Sequence, residues 1–241
     1  MNATTIPSSP STHPSVAPRS DLFRHRPERP LIAPSILSAD FTRLGEECRA
    51  VLDAGADLLH VDVMDGHFAP NLSMGPAICA AARRACPDAF LDVHLMVTDP
   101  AFFVKPFHQA GANHLTVHVE VLPDPRPLAD AIHALGMTAG LAFNPDTPIE
   151  RVVPFLEPFD LALCMSVFPG FSGQKFIPDV LPKCAALSRR LRPDQRLEID
   201  GGVAPDTVEG CRNAGCDVLV AATAIYGKGD YRAQIGILRG G

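Results

Sequence analysis

Several features that would direct function elsewhere are missing from this chain of 241 residues. There is no surplus of cations: 21 Lys and Arg stand against 27 Asp and Glu, a net charge of −6. Binding to a phosphate backbone needs the opposite balance, so no nucleic-acid partner is expected, and the acidity serves solubility. No apolar run reaches the roughly 18 residues of a membrane span, so no membrane partner is expected. The amino-terminal segment lacks the apolar h-region of a secretory signal. No C-x-x-C pair occurs among the seven cysteines at 48, 79, 86, 164, 184, 211 and 216. An odd number scattered through an enzyme-sized chain suits a reducing, cytoplasmic compartment, with the thiols acting as small buried apolar groups. The dinucleotide fingerprint G-x-G-x-x-G is also absent after the first strand pattern, where Pro34-Ser35-Ile36 stands instead. That removes the main argument for an open, nucleotide-binding sheet.

What is present falls into two parts. Residues 1–29 are rich in Pro, Ser and Thr and show no apolar periodicity, which reads as a disordered extension. From residue 30 to 241 the pattern is regular. Short apolar runs begin near 31, 57, 90, 113, 137, 160, 196 and 217, with helical patterns such as FTRLGEECRAVLDAG, DVLPKCAALSRRL and APDTVEGCRNAG between them. Three helical patterns end in Ala-Gly followed shortly by a strand, at Gly55, Gly111 and Gly215; glycine is the preferred residue just past a helix. Repeated βα units imply a parallel sheet. Eight of them in one chain of this length imply an α/β fold, a single (β/α)8 TIM barrel.

In such a barrel, chemistry collects where the strands end. The ends carry Ser35; His60, Asp62 and Met64; Asp92, His94 and Met96; His118 and Glu120; Asn144; Met165 and Ser166; Glu198 and Asp200; and Thr223. Residues two apart on a strand share a face, so His60 and Asp62 point the same way. A buried carboxylate needs compensation. A lone strand histidine most often hydrogen-bonds a neighbour, but His60, Asp62, His94 and Asp200 together offer two imidazoles and two carboxylates. That donor set suits one divalent ion per subunit, Zn²⁺, Fe²⁺, Mn²⁺ or Co²⁺. Met64, Met96 and Met165 would line the site with apolar surface. His118 and Glu120 are weaker candidates, at the rim or capping a strand, and His67, His108, His114 and His133 are expected to be solvated. Glycine-rich segments follow the sixth and seventh strands, and Ala222-Thr223 follows the eighth. Loops there are the usual phosphate site of the fold, so a small phosphorylated substrate is expected. Two carboxylates beside a divalent ion suit proton abstraction next to a carbonyl, with the proton returned on the other face.

The chain resembles the ribulose-phosphate 3-epimerase family. The matching segments are APSILSADFTRLGEE (33–47), HVDVMDGHFAPNLSMGP (60–76), DVHLMV (92–97), GLAFNPDTP (140–148), MSVFPGFSGQKF (165–176) and EIDGGVAPDT (198–207). The resemblance implies interconversion of D-ribulose 5-phosphate and D-xylulose 5-phosphate, a phosphorylated ketose, by a metal-dependent homo-oligomer. It implies that His60, Asp62, His94 and Asp200 hold the metal and that Asp62 and Asp200 are base and acid. It also implies that Ser35 and His94 contact substrate, and that Gly170, Phe171, Ser172, Gly173, Gly201, Gly202, Ala222 and Thr223 form the substrate and phosphate loops. Phe168, Ser172 and Ala222 depart from the family pattern, which bears on substrate preference. A related epimerase acting on a hexulose phosphate such as allulose 6-phosphate is the competing reading. A metal-free decarboxylase on the same barrel would need Asp-x-Lys-x-x-Asp on the third strand, and the lysine is missing from Asp92-Val93-His94.

Overall fold

A computed structural model describes residues 22–25 and 27–240. Its strands are β1 (Leu31–Pro34), β2 (Leu59–Met64), β3 (Leu91–Met96), β4 (His114–His118), β5 (Thr138–Phe143), β6 (Leu161–Met165), β7 (Arg196–Asp200) and β8 (Val218–Ala221). They form one eight-stranded parallel sheet in the order β1-β8-β7-β6-β5-β4-β3-β2, and a parallel bridge between Ser35 and His60 joins its two ends. The sheet is thus a barrel, as the strand spacing predicts. Helices α1 (Leu44–Asp53), α2 (Pro76–Ala85), α3 (Pro100–Gln109), α4 (Arg126–His133), α5 (Leu181–Ser188), α6 (Val208–Asn213) and α7 (Tyr231–Arg239) surround it. Gly55, Gly111 and Gly215 take φ of +108°, +90° and +88°, the left-handed helix ends the sequence predicts. The link from β5 to β6 breaks the alternation, with 3-10 turns at Ile149–Arg151 and Val153–Phe155 in place of an α-helix. Pro148, Pro154 and Pro158 punctuate that stretch, and proline cannot supply the N–H of a continuous helical ladder.

Alternation along each strand separates two layers. Val61, Val93, Leu95, Leu115, Leu141, Ile199 and Leu219 face outward and pack with helix residues such as Val51, Val104 and Ile132. Leu31, Ala33, Leu161, Leu163, Val218 and Val220 face inward and pack with one another. Each such buried aliphatic side chain contributes about 1.5–3 kcal/mol. The inward residues of β2, β3, β4 and β7 are largely polar instead, and they form the site.

Two expectations need correction. The predicted disordered extension, residues 1–29, does not hold at its end: Leu22 to His25 form a turn, and Phe23 is fully buried against the floor of the barrel. Its ring sits 4.7 Å from that of Phe90 and 4.8 Å from His114, edge-on in both cases. Its carbonyl accepts from Nε of the buried Arg196 at 3.0 Å, and that guanidinium also pairs with Asp217 at 3.0 Å. One aromatic residue within a polar segment is enough to dock it. Residues 1–21 lie outside the described residues. The second correction is His114, expected in solvent but fully buried inside the barrel, hydrogen-bonded to Thr138 Oγ1 at 2.7 Å and Thr116 Oγ1 at 2.9 Å. It starts β4 with its side chain inward, and the two threonines satisfy both ring nitrogens.

Candidate active site

Strand register carries the site. His60 pairs with Asp92 and Asp62 with His94 across β2 and β3, so four polar side chains enter the barrel in two adjacent rows. Asp200 arrives at the end of β7, where Ser166 Oγ donates to the carbonyls of Asp200 and Gly201 and fixes the strand end. Ligand atoms of His60, Asp62, His94 and Asp200 all lie within 4.8 Å of one another. Asp62 is central: Oδ1 lies 3.2 Å from His60 Nε2 and 3.2 Å from His94 Nδ1, and Oδ2 accepts from Ser35 Oγ at 2.5 Å. His94 Nδ1 is 3.8 Å from Asp200 Oδ2. The donor set, two imidazole nitrogens and two carboxylate oxygens, fits a borderline divalent cation.

The two carboxyls are held in opposite states. Burial pushes Asp62 up, but the imidazoles of His60 and His94 and their hydrogen bonds outweigh it and hold the carboxyl far below its usual range. Asp200 is pushed up to about 8, first by burial and then by the negative charge of Asp62. Burial lowers His60, but the charges of Asp62 and Asp92 prevail and leave it well above its ordinary value. His94 is pushed down to about 4, chiefly by burial.

Beneath this row lies a layer of strand-end residues that the sequence does not single out for the metal site. Asp92 Oδ2 meets His60 Nδ1 at 2.7 Å, so Nε2 is the nitrogen His60 offers to the site. The carboxyl of Glu198 lies 3.7 Å from the same Nδ1 and against Asp92. Burial and the charge of Asp92 raise Glu198 well above its usual value, and both its carboxyl oxygens, like Asp92 Oδ1, are buried without a hydrogen-bond partner among the described residues. On the other flank His94 Nε2 lies 2.8 Å from His118 Nε2, and His118 Nδ1 lies 3.0 Å from Glu120 Oε2. The signal for all these residues was in the sequence: each lies two positions from another polar residue on its strand and shares its face. Asp65, just past β2, staples loops instead of joining the cluster, accepting from the amides of His67 and Phe68 and from Thr98.

Above the cluster opens a cleft enclosing about 540 Å³ of empty space, its mouth included. Among its lining residues are Ser35, Asp62, Met64, Met96, Met165, Gly170, Phe171, Ser172, Gly173, Asp200, Gly201, Gly202, Ala222 and Thr223. The structure thus brings together every predicted site residue, with His60 and His94 beneath the floor. Met64, Met96 and Met165 are buried and make that floor apolar around the carboxyls. Phe168 and Phe171, half-exposed, flank the mouth on a loop held by Gln174 Nε2, which donates to both their carbonyls, and by Asn71, which donates to Gly170. Gly201 and Gly202 take φ of +113° and +65°, and a Cβ on either would lie under 3 Å from Val167 or Phe176. Only glycine lets the backbone turn there. Among the described residues the lining includes no Lys or Arg, which leaves amides and hydroxyls as the donors for an anion.

The model of the ribulose-phosphate 3 epimerase family matches residues 31–226. The chain belongs to this family. Relatives named ribulose-phosphate 3-epimerase include that of Mycobacterium tuberculosis, 46% identical over 213 residues, covering 87% of this chain and 92% of the relative. Another is from Bacillus subtilis, 44% identical over 213 residues, with 87% and 98% covered. A third, from Eremothecium gossypii, is 40% identical over 221 residues, with 88% and 92% covered. These relatives are isomerases acting on a carbohydrate phosphate, and the chain is an epimerase of that class. Among solved structures, 3-keto-L-gulonate-6-phosphate decarboxylase of Vibrio cholerae has the same fold, with TM-score 0.66 at 16% identity over 88% of this chain and 96% of that one. At that identity the likeness is one of fold alone. No helix among the described residues is long and apolar enough to cross a membrane.

Proposed function

We propose that this epimerase interconverts D-ribulose 5-phosphate and D-xylulose 5-phosphate by moving the C3 proton between Asp62 and Asp200. One observation carries the reading: two carboxyls from β2 and β7 converge on one cleft floor, their ligand atoms within 4.8 Å, and in the ion-free site they are biased to opposite states, Asp62 ionised and Asp200 holding its proton up to about 8. Two titratable groups pushed apart in this way divide into base and acid. Asp62, steadied by Ser35, takes the proton from one face of C3, and Asp200, reprotonated from solvent on the carboxyl oxygen that does not face the ion, delivers one to the other face of the enediolate. After a turnover Asp62 is protonated and Asp200 ionised, so the pair must be reset by proton exchange with solvent before the same direction runs again.

His60, Asp62, His94 and Asp200 would hold one divalent cation, Zn²⁺, Fe²⁺, Mn²⁺ or Co²⁺. When bound, such an ion supplies positive charge that polarises the C2 and C3 oxygens and stabilises the enediolate. The methionines exclude water and strengthen every electrostatic contact at the floor. The loops at 170–173, 201–202 and 222–223 would receive the phosphate through amides and the Thr223 hydroxyl. Turnover of ribulose 5-phosphate against allulose 6-phosphate by purified, metal-supplied protein tests this. A strong pentulose preference is expected. A hexulose preference would overturn the substrate, and no turnover of either would overturn the reaction.

A further inference from the structure

We infer that His118 and Glu120 are positioning residues for the proposed metal centre, forming an arm that fixes which nitrogen of His94 faces the ion. This rests on the metal reading above and goes beyond it, since neither residue reaches the cleft floor. His94 turns Nδ1 toward Asp62 and Asp200, at 3.2 and 3.8 Å. Its Nε2 lies 2.8 Å from Nε2 of His118. Two ring nitrogens that close need one proton between them, because two lone pairs or two N–H groups would repel.

Direction follows from the far end of the arm. Glu120 is ionised: burial pushes it up, but His118, the Asn144 amide and Thr147 hold it down at about 2. A carboxylate only accepts, so His118 Nδ1 carries a proton and donates to Glu120 Oε2 at 3.0 Å. With that proton on Nδ1 and a single proton between the two facing Nε2 atoms, the His118 Nε2 lone pair accepts from Nε2–H of His94. When the cluster holds an ion, that leaves the His94 Nδ1 lone pair aimed at it; in the ion-free site Nδ1 meets Asp62 Oδ1 at 3.2 Å instead. Glu120 is itself anchored, with Oε1 accepting from Asn144 N at 2.8 Å and Thr147 Oγ1 at 2.5 Å. Lys183 Nζ holds the same loop through the carbonyls of Pro145 and Thr147 at 2.6 and 2.9 Å. Ring contacts keep His118 in place, stacked 5.0 Å from His94 and tilted against Phe68 at 4.6 Å. Asp92 does the same for His60 in a single step. Such outer partners set the tautomer and basicity of a ligating imidazole.

The test uses the full chain and measures Zn²⁺ and Co²⁺ affinity by chelator competition, with the Co²⁺ absorption spectrum as a second readout. His118→Phe keeps the ring stack but removes both nitrogens, and Glu120→Gln removes only the charge. Each is expected to weaken metal binding by about 10- to 100-fold and to shift the Co²⁺ bands, with the melting temperature little changed. Because Glu120 acts through His118, adding Glu120→Gln to His118→Phe is expected to have no further effect. Unchanged affinity in both single variants, or fully additive losses, would overturn the inference. Nitrogen-15 NMR of the zinc-loaded wild type gives a check that no variant's folding can obscure. His94 is expected to carry its proton on Nε2, and a proton on Nδ1 would sink the proposal. A wild type that takes up no metal would overturn the metal centre as well, an outcome distinct from variants that bind as tightly as wild type.

Discussion

Metal uptake by the cluster should be strongly pH-dependent, with a sign and size set by Asp200 and His60. In the ion-free site the Asp200 carboxyl holds its proton up to about 8, and a ligating carboxylate must give that proton up. At pH 7 this alone lowers apparent affinity about tenfold below its high-pH limit, and at pH 6 about a hundredfold, or roughly 1.4 kcal/mol per pH unit. Affinity therefore rises with pH up to about 8 and then levels. His60, raised well above its ordinary value by Asp62 and Asp92, must also free Nε2, which steepens the slope toward two protons per ion. Asp62 is already ionised and adds nothing. Calorimetric titration of Zn²⁺ into the protein, in buffers of different ionisation enthalpy, counts the protons released. One to two per ion are expected at pH 7, and fewer by about one in Asp200→Asn. Affinity flat between pH 6 and 8, with no proton released, would refute the protonation states assigned to the site.

Other expectations concern single side chains. Asp62→Asn and Asp200→Asn should each lower kcat by about 10²- to 10⁴-fold, the usual share of one acid–base group, with melting temperature retained; steady-state kinetics near wild type would remove either residue from proton transfer. Gly202→Ala puts a methyl 2.7 Å from the Phe176 nitrogen at φ +65°, a left-handed conformation costing about 1–2 kcal/mol for a non-glycine residue. KM for the phosphorylated substrate should rise and Zn²⁺ affinity should not, and an unchanged KM would exclude this loop from substrate binding. Phe23→Ala empties the barrel floor, at the end opposite the cleft, and should cost about 3–5 kcal/mol. That is roughly 6–20 °C in thermal melting for a domain of this size, with kcat unaffected, and an unaltered melt would mean the turn at 22–25 is not part of the folded core.

The fold was legible because its strands are short apolar runs cut off by helix-ending glycines, and every run named from the sequence contains an observed strand. The core of the site was legible for the same reason that it works: His60 and Asp62, and then His94 and Asp200, are polar residues on inward strand faces, where nothing but mutual compensation explains them. Asp92, Glu198 and His114 were harder because they lie one row deeper. There Asp92 meets His60 and two threonines satisfy His114, and such pairing depends on register across strands that sequence spacing does not report. His118 looked like a strand end because its partners are His94 of β3 and Glu120, itself anchored by the loop after β5. Phe23 was hidden by the polar composition around it, and the link between β5 and β6 lacks a helix because Pro148, Pro154 and Pro158 interrupt it, a feature that strand periodicity does not report.

The central claim is proton transfer at C3 by two carboxyls. The direct measurement is proton NMR of ribulose 5-phosphate incubated in D₂O with the metal-supplied protein. Both C1 and C3 lie next to the C2 carbonyl, so a site built around Asp62 and Asp200 should place deuterium at C3 alone, and neither Asp62→Asn nor Asp200→Asn should sustain that exchange at the wild-type rate. Deuterium at C1, or none at C3, would contradict it.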